Sequence, residues 1–267
     1  MNILASAVPL QPVRPFMPAR RIFGAYFNEA KFEFVAGLRA IAFSVPFLLL
    51  PVLVYLLFGV VFAADAVAKN PNVANYLFCS FAVFAVTGPG IFGIGCGLAM
   101  ERDAGFIQLK RAMPVPAGAY LIAKMLMSTM FAVLTFVSLL ITALLVGKLT
   151  LGPWQLLCTG AVLIVGAVPF SAIGLLIGAY VSGSAAPAVA NLIYLPMLWL
   201  GGLFIPLPKF LQPQAVVWPS FHLNQIVVGV VDLKEFHVAP TMLSVAVLVG
   251  VTVLCGGLAI RKLARKG

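Results

Sequence analysis

The chain has 267 residues, of which 63% are hydrophobic and only 9% are charged. Soluble domains are about half apolar and about a quarter charged, so this composition cannot provide a polar surface in water. The mean hydropathy of +1.11 also excludes an intrinsically disordered chain. The composition therefore predicts an all-α integral membrane protein that crosses the bilayer several times.

The net charge of +10 does not indicate nucleic-acid binding, because the basic residues gather at the chain ends and in one loop. Anionic lipid headgroups and the positive-inside rule account for such a distribution. Residues 1–19 hold four prolines and no long apolar run, so we expect an irregular cytoplasmic tail there. Neither a disulfide framework nor a zinc site is expected from the four cysteines, which lie in apolar runs without a CxxC pair: Cys79, Cys96, Cys158 and Cys255.

Six charge-free apolar stretches approach or exceed the roughly 20 residues that a membrane-spanning helix needs. A seventh stretch lacks charge but holds two prolines and several Gln, Asn and His residues, and the basic residues decide how to read it. With six spans, 13 of the 17 basic residues lie on the cytoplasmic side, whereas a seventh crossing would leave 10 there. We therefore predict cytoplasmic termini, a re-entrant element at 208–231 that enters from the outer face, and spans at about 40–64, 77–100, 125–147, 154–181, 185–207 and 238–260.

Residues 20–39 predict an amphipathic helix before the first span. At 100° per residue, most of its aromatic and aliphatic side chains fall on one arc and most of its charged side chains on the other. Phe32 and Glu33 break this pattern. We expect the helix to lie in the cytoplasmic membrane interface, either as a plain anchor or with a mechanical role.

The loop 101–124 begins with acidic residues, continues with a short apolar stripe and carries two bases before Pro114. Acids at the start and bases at the end favour a short amphipathic helix, because they complement the helix dipole. Such a helix suits docking to a soluble partner. A solvated loop that rests on lipid headgroups fits the residues equally well.

A resemblance favours the docking helix. The run Glu101-Arg102-Asp103-Ala104-Gly105, the apolar pair, Leu109, Pro114-Val115-Pro116 and Lys124 resemble the segment between the second and third spans of type-2 ATP-binding-cassette exporter permeases. Thr or Ser is usual in that family where Phe106 stands here, and Ser is frequent in place of Pro116. The residues from Ile205 to Gln225 resemble the family's external re-entrant half-helices.

The resemblance implies that the loop is a coupling helix seated in an ATP-binding-cassette subunit, which would carry ATP and magnesium. It also implies a second permease copy, with a homodimer expected. The residues assigned to the partner contact on this basis are Glu101, Arg102, Asp103, Gly105, Phe106, Ile107, Leu109 and Pro114.

The chain itself contains no phosphate-binding loop, so ATP hydrolysis is expected in another polypeptide and no cofactor in this one. All seven acids and both histidines lie outside the six predicted spans, which argues against an intramembrane enzyme. An ion-coupled secondary transporter or channel-like protein is the alternative. Such proteins usually place ionisable groups at membrane depth, and the predicted spans contain none.

The aromatic residues in the spans, with a few uncharged polar groups, suit an apolar or amphiphilic cargo such as a drug, a lipid-like molecule, a peptide or a glycoconjugate. Packing or lipid exposure is the alternative role for most of these aromatics, and satisfying the polar end of a half-helix is the alternative for His222. The candidate pathway residues are Phe81, Phe84, Thr87, Asn191, Tyr194 and Leu198, and the candidate gate residues are Trp218, Pro219, His222 and Gln225.

Overall fold

The computed structural model describes residues 19–112, 118–147, 149–204, 207–208 and 210–265. All regular structure within these ranges is helical. The helices are α1 Ala19–Arg39, α2 Ile41–Phe62, α3 Ala64–Lys69, α4 Asn72–Asp103, α5 Phe106–Ala112, α6 Ala119–Val146, α7 Pro153–Tyr180, α8 Ala186–Leu200, α9 Gln212–Ala215, α10 Pro219–Val230 and α11 Thr241–Arg265.

Five of the described helices are long and apolar enough to cross a membrane, namely α2, α4, α6, α7 and α11. The chain is therefore an all-helical integral membrane protein, as its composition predicts. The predicted span 185–207 does not form as one helix. It contains α8, whose 15 residues reach only about 22 Å, and the backbone then turns at Gly202, where φ is +74°.

Helix α4 lies at the centre of the bundle. Over the 18 most apolar consecutive residues of α4, 94% of the residues are buried inside the protein. The corresponding share is 17% in α2 and in α11. Pro89 interrupts its hydrogen bonding and starts a π-helical stretch, Pro89–Ile94. Pro89 cannot donate to the carbonyl of Ala85, which instead accepts a hydrogen bond from Thr135 Oγ1 of α6 at 3.1 Å.

Helix α1 runs alongside the first half of α6. The hydroxyl of Tyr26 is beside Gly118, Glu33 pairs with Lys124, and the ring of Phe34 packs edge-on against Phe131, 5.5 Å between centroids. These contacts advance along both helices in the same direction. The predicted helix at 20–39 is thus present, but it packs parallel to a membrane-spanning helix instead of lying flat across the ends of the spans.

Helix α10 lies deep in the bundle, next to the first half of α7. Leu223 packs against Gly166 so closely that a Cβ there would be 2.3 Å from Leu223 Cδ1. At the other end of α10, the carbonyl of Val231 accepts a hydrogen bond from Gln155 Nε2, in the first turn of α7, at 3.0 Å. Ser220 Oγ donates to the carbonyl of Met197 at 2.6 Å. Helix α10 therefore begins at the depth where α8 ends and runs back to the end where α7 begins.

The basic residues of the described chain are unevenly divided between the two ends of the bundle. Lys69 and Lys234 lie at the end where α7 and α11 begin. The other end is called the basic end below, and it carries Lys31, Arg102, Lys110, Lys124, Arg261, Lys262 and Arg265.

Candidate functional site

The connection between α4 and α5 differs from the prediction. Helix α4 continues through Asp103, and Gly105 makes the turn with φ at +81°, a conformation that favours glycine. Glu101 and Asp103 therefore belong to the last turn of α4 and do not open the coupling helix. The first residue of α5 is Phe106.

Arg102 and Asp103 fasten the end of α4 to the end of α7. The Arg102 guanidinium donates to the carbonyls of Gly178 and Val181, each at 2.8 Å. These carbonyls belong to the last turn of α7 and to the residue after it, where the helix provides no partners and a cation is favoured. Asp103 Oδ2 accepts a hydrogen bond from the amide of Gly183 at 2.6 Å. Most of Arg102 is thus engaged inside the protein, although the sequence assigned it to a partner contact.

A buried lysine joins three helices at the basic end. Lys124 of α6 is only 2% exposed, and its Nζ lies 3.0 Å from Glu33 Oε2 of α1 and 2.9 Å from Glu101 Oε1 of α4. Burying an unpaired ammonium would cost several kcal/mol, and two carboxylates here offset that cost. The position of α1 is therefore fixed by charge as well as by apolar packing.

Lys110 connects α5 to the same group. Its ammonium pairs with Glu29 and lies 3.2 Å from Glu33 Oε1. Burial lowers the pKa of Lys110, but the hydrogen bonds and charges of the two glutamates outweigh this effect and raise it above its ordinary value. Lys110 thus stays protonated at neutral pH. We call Glu29, Glu33, Glu101, Lys110 and Lys124 the ion-pair cluster.

Tyr120 of α6 completes the surroundings of the ion-pair cluster. Its hydroxyl donates to Glu101, and its ring centroid lies 4.2 Å from Lys110 Nζ and 5.1 Å from Lys124 Nζ. A cation over an aromatic face is attracted by the ring quadrupole. The ring therefore contacts both lysines, and it binds the ends of α4, α5 and α6 together.

Helix α5 has two different faces. Ile107 packs inward against the apolar group that includes Leu98 and Tyr120. Phe106 and Leu109 are 51% and 60% exposed and lie three residues apart, so they share the outward face. The predicted partner contact thus reduces to Phe106 and Leu109 on this helix, with Ile107 turned away. Pro114 lies outside the described residues.

A cavity of about 300 Å³ opens between α2, α4 and α8. Four of the six predicted pathway residues line it: Phe84, Asn191, Tyr194 and Leu198. The Tyr194 hydroxyl donates to the carbonyl of Phe84 at 3.3 Å, and the lining contains no charged residue.

The other two predicted pathway residues lie behind this lining. Phe81 is fully buried and packs edge-on against Tyr55 and Phe204. Thr87 is also buried, and its hydroxyl donates to the carbonyl of Phe84 at 2.9 Å.

His222, a predicted gate residue, is fully buried. Its Nε2 lies 2.8 Å from the carbonyl of Val216, and its Nδ1 lies 3.1 Å from Ser244 Oγ of α11. A carbonyl can only accept, so neutral His222 carries its hydrogen on Nε2 and accepts from Ser244. This arrangement fits the alternative in which the histidine satisfies a polar helix end.

The remaining predicted gate residues also hold α10 in place. Gln225 Oε1 accepts from the amide of Val238 at 2.6 Å, in the linker before α11. Trp218 Nε1 donates to Gln214 Oε1 at 3.0 Å. Pro219 is the first residue of α10, a position whose N–H has no partner within the helix, so the missing N–H of proline costs no hydrogen bond. None of the four gate residues lines the cavity between α2, α4 and α8.

The sequence did not single out Glu29, Glu33, Lys110 and Tyr120 as site residues. One signal was present, because Glu33 breaks the amphipathic pattern of α1, and Glu33 contacts both lysines of the ion-pair cluster. Among the described residues, no three His, Cys, Asp or Glu side chains are grouped so as to hold a metal ion.

Two comparisons with known proteins agree with these features. The sequence model of the ABC-2 type transporter family matches residues 30–230. A protein of Bacillus subtilis (strain 168) that is named as a transport permease, YvfS, is 28% identical over 180 residues, which are 66% of this chain and 73% of that protein. Since the family match covers more than half of the chain, the chain belongs to the ABC-2 type transporter family. It is thus the membrane subunit of an ABC transporter, and the family implies an ATP-binding-cassette partner.

We predict that Lys124→Met destabilises the protein, because it removes the cation between two carboxylates and leaves Glu33 with Lys110 alone and Glu101 with the Tyr120 hydroxyl. Breaking a buried pair in this way typically costs about 3–5 kcal/mol. Thermal unfolding in detergent measures the effect, with Lys31→Met at an exposed position of α1 as the matched control.

Adding Glu33→Gln and Glu101→Gln to Lys124→Met should restore much of the loss, because no uncompensated charge then remains among the three positions. Equal unfolding midpoints for Lys124→Met and Lys31→Met would contradict the assignment of Lys124 as the central pairing group.

Proposed function

We propose that this subunit exports an apolar or amphiphilic cargo from the cytoplasm, driven by separate ATP-binding subunits that dock at the basic end. The observation that carries the proposal is the two-faced helix α5. Its outward face presents Phe106 and Leu109, while Lys110 ties the helix to the ion-pair cluster. Apolar anchors at the centre of an interface usually supply most of the binding energy. Helix α5 is thus suited to contact a partner on its outward face and to transmit a displacement of that partner to the ion-pair cluster.

The ion-pair cluster transmits this displacement from α5 to α1 and α4. A displacement of α5 acts on Glu29 and Glu33 of α1 through Lys110. Lys124 then connects Glu33 to Glu101, in the last turns of the central helix α4. Helix α4 in turn lines the cavity with Phe84 and other residues. In this proposal, closure of the ATP-binding subunits changes the cavity by moving α4.

We assign both termini to the cytoplasm of a bacterial-type inner membrane, with six crossings. The accumulation of Lys and Arg at the basic end supports this orientation. Helix α8 is too short to cross about 30 Å of hydrocarbon alone, and α10 occupies the remaining depth beside it. The stretch 208–231 is accordingly a re-entrant element that enters from the outer face.

The cavity between α2, α4 and α8 is proposed as part of the cargo pathway. Its aromatic, uncharged lining suits apolar or amphiphilic molecules such as drugs, lipid-like compounds, peptides with apolar side chains or glycoconjugates with lipid tails. Asn191 and Leu195 are exposed at its edge, so the cavity is open on the surface of one chain. A second permease copy would close it, which supports a homodimer with two ATP-binding subunits. Helix α10 and its gate residues would close the outer end.

An ion-coupled secondary transporter is the second candidate, because Glu33, Glu101 and Lys124 form a part-buried ionisable group. Their position at one end of the bundle fits coupling to a partner better than an ion site halfway across the membrane. Transport that continues without ATP, driven by an ion gradient alone, would favour this second candidate.

The topology predicts which residues react from outside the cell. In a background without the native cysteines, Lys69→Cys and Lys234→Cys should react with a membrane-impermeant maleimide added to intact cells. Lys31→Cys and Lys262→Cys are the matched positions at the basic end, and they should react only after the membrane is permeabilised. Labelling of Lys262→Cys in intact cells would mean that the last crossing is reversed or absent, and it would contradict the six-span topology.

Docking through α5 predicts that Phe106→Asp with Leu109→Asp abolishes export. The exposed apolar anchors would be replaced by charges, while the spans and the ion-pair cluster stay unchanged. Ala104→Asp with Gln108→Asp is the control, since it adds the same charge at exposed positions of the same segment without removing an anchor.

Partner retention, ATP hydrolysis and export should be measured in one preparation of each variant. The anchor variant should lose the partner or uncouple it, and the control should keep most of its export. Wild-type export by the anchor variant would show that α5 is not the docking element.

A further inference from the structure

An apolar groove lies on the outside of the bundle between α7 and α11. Residues 161–169 of α7 and 245–253 of α11 form its walls, and Leu223 and Ile226 of α10 form its floor. We call it the α7/α11 groove. Its volume is about 570 Å³, which is larger than that of the cavity proposed for cargo. The two share no lining residue.

The depth of the groove places it within the hydrocarbon. Helices α7 and α11 begin at the same end of the bundle, and the walls start roughly 12 Å along α7 and roughly 6 Å along α11 at 1.5 Å per residue. They reach roughly 24 Å and 18 Å from those ends. Because both helices cross a hydrocarbon layer of about 30 Å, bilayer lipid surrounds the groove.

The chemistry of the groove excludes a polar occupant. Thr252 carries the one polar side chain of the lining, and its hydroxyl donates to the carbonyl of Leu248 in its own helix at 2.8 Å. A bound water needs two to four polar partners, and the lining side chains offer at most the acceptor lone pairs of the Thr252 hydroxyl. An apolar occupant gains van der Waals contacts with the lining, and neither the occupant nor the lining loses a hydrogen bond.

The shape favours a thin, flexible occupant. Val165, Val249 and Val253 are 71%, 55% and 68% exposed, so the groove is open toward the lipid. Its volume of about 570 Å³ extends along roughly 12 Å of α11, which gives a mean cross-section of roughly 48 Å². A helix about 10 Å in diameter has a cross-section near 80 Å². A helix of another chain would therefore lie over the groove without filling it, whereas an acyl chain fits inside it.

We propose that an acyl chain of a membrane lipid binds in the α7/α11 groove and acts as a structural part of the fold. The chain would pack over the floor of the groove, where Leu223 and Ile226 of α10 lie between the two walls. The inference does not depend on the direction of transport or on the cargo.

Lipid retention tests the proposal. The purified protein is stripped of lipid in steps and weighed by native mass spectrometry, and its thermal midpoint is recorded before and after adding dioleoyl phosphatidylethanolamine. The groove-filling variant is Ala161→Leu with Val249→Phe. The control is Leu157→Phe with Leu254→Phe, at exposed positions on the same helices that do not line the groove.

Wild type and control should keep one lipid more than the filled variant, and added lipid should raise their midpoints but not that of the filled variant. Equal lipid retention in all three proteins, or midpoints that lipid does not change, would overturn the proposal.

A reporter at an exposed residue of the groove lining provides a second test, which remains valid if the filled variant misfolds. Val165→Trp, in a background without the native tryptophans, should be quenched by brominated dioleoyl phosphatidylcholine at a severalfold lower lipid fraction than Leu157→Trp. Equal quenching curves for Val165→Trp and Leu157→Trp would mean that the groove contacts only bulk lipid, and they would overturn the proposal. Efficient disulfide dimers of Val165→Cys would show that a second copy covers the groove, and would also overturn the proposal.

Discussion

The burial of one lysine constrains the whole basic end of this protein. Lys124 is almost completely enclosed, and contacts with the carboxylates of Glu33 and Glu101 offset the cost of burying its ammonium group. Each of these three residues belongs to a different helix, so none of those helices can shift far without exposing an unpaired charge to an apolar interior. Helix α5 joins the group through Lys110. The end of the bundle that faces the ATP-binding partner in our proposal therefore behaves as one connected unit.

This unit is linked to the cavity by a single helix. Along α4, Phe92 and Phe84 of the cavity lie roughly 14 Å and 26 Å from Glu101. The π-helical stretch that starts at Pro89 lies between the cluster and Phe84, and such stretches often mark functional sites in helices. This stretch packs closely against α7, where a Cβ on Gly174 would be 2.1 Å from the carbonyl oxygen of Gly90.

The sequence predicted the features that depend on local composition. Long apolar stretches correctly indicated five of the spans, because hydrocarbon thickness sets the length of a crossing helix. The end of α8 was missed, since its apolar run continues past the turn at Gly202 and hydropathy alone does not show where a backbone turns. The α1 helix was found, but its packing along α6 depends on partners outside its own segment.

The candidate site was only partly predictable for the same reason. Glu33 and Lys124 are 91 residues apart, and Arg102 binds a carbonyl 76 residues away. No single-sequence pattern encodes such pairs, so Arg102 was assigned to a partner although it binds α7. Phe106 and Leu109 could be assigned, because an apolar stripe between charges is a local signal. Their exposure then distinguished them from Ile107, which packs inward.

In our proposal α1 and α5 move as one body when the partner acts on the permease. Cysteines at Glu33 and Lys110, whose charged groups lie 3.2 Å apart, can be joined by a short bifunctional thiol reagent in a background without the native cysteines. The measurement is cargo exported per ATP hydrolysed before and after the link forms. The unlinked double-cysteine protein should export less cargo per ATP than the protein with Glu33 and Lys110 intact, because it lacks their ion pair, and the link should restore the ratio because it replaces that contact. Arrest of export by the link, with continued ATP hydrolysis, would contradict the proposal.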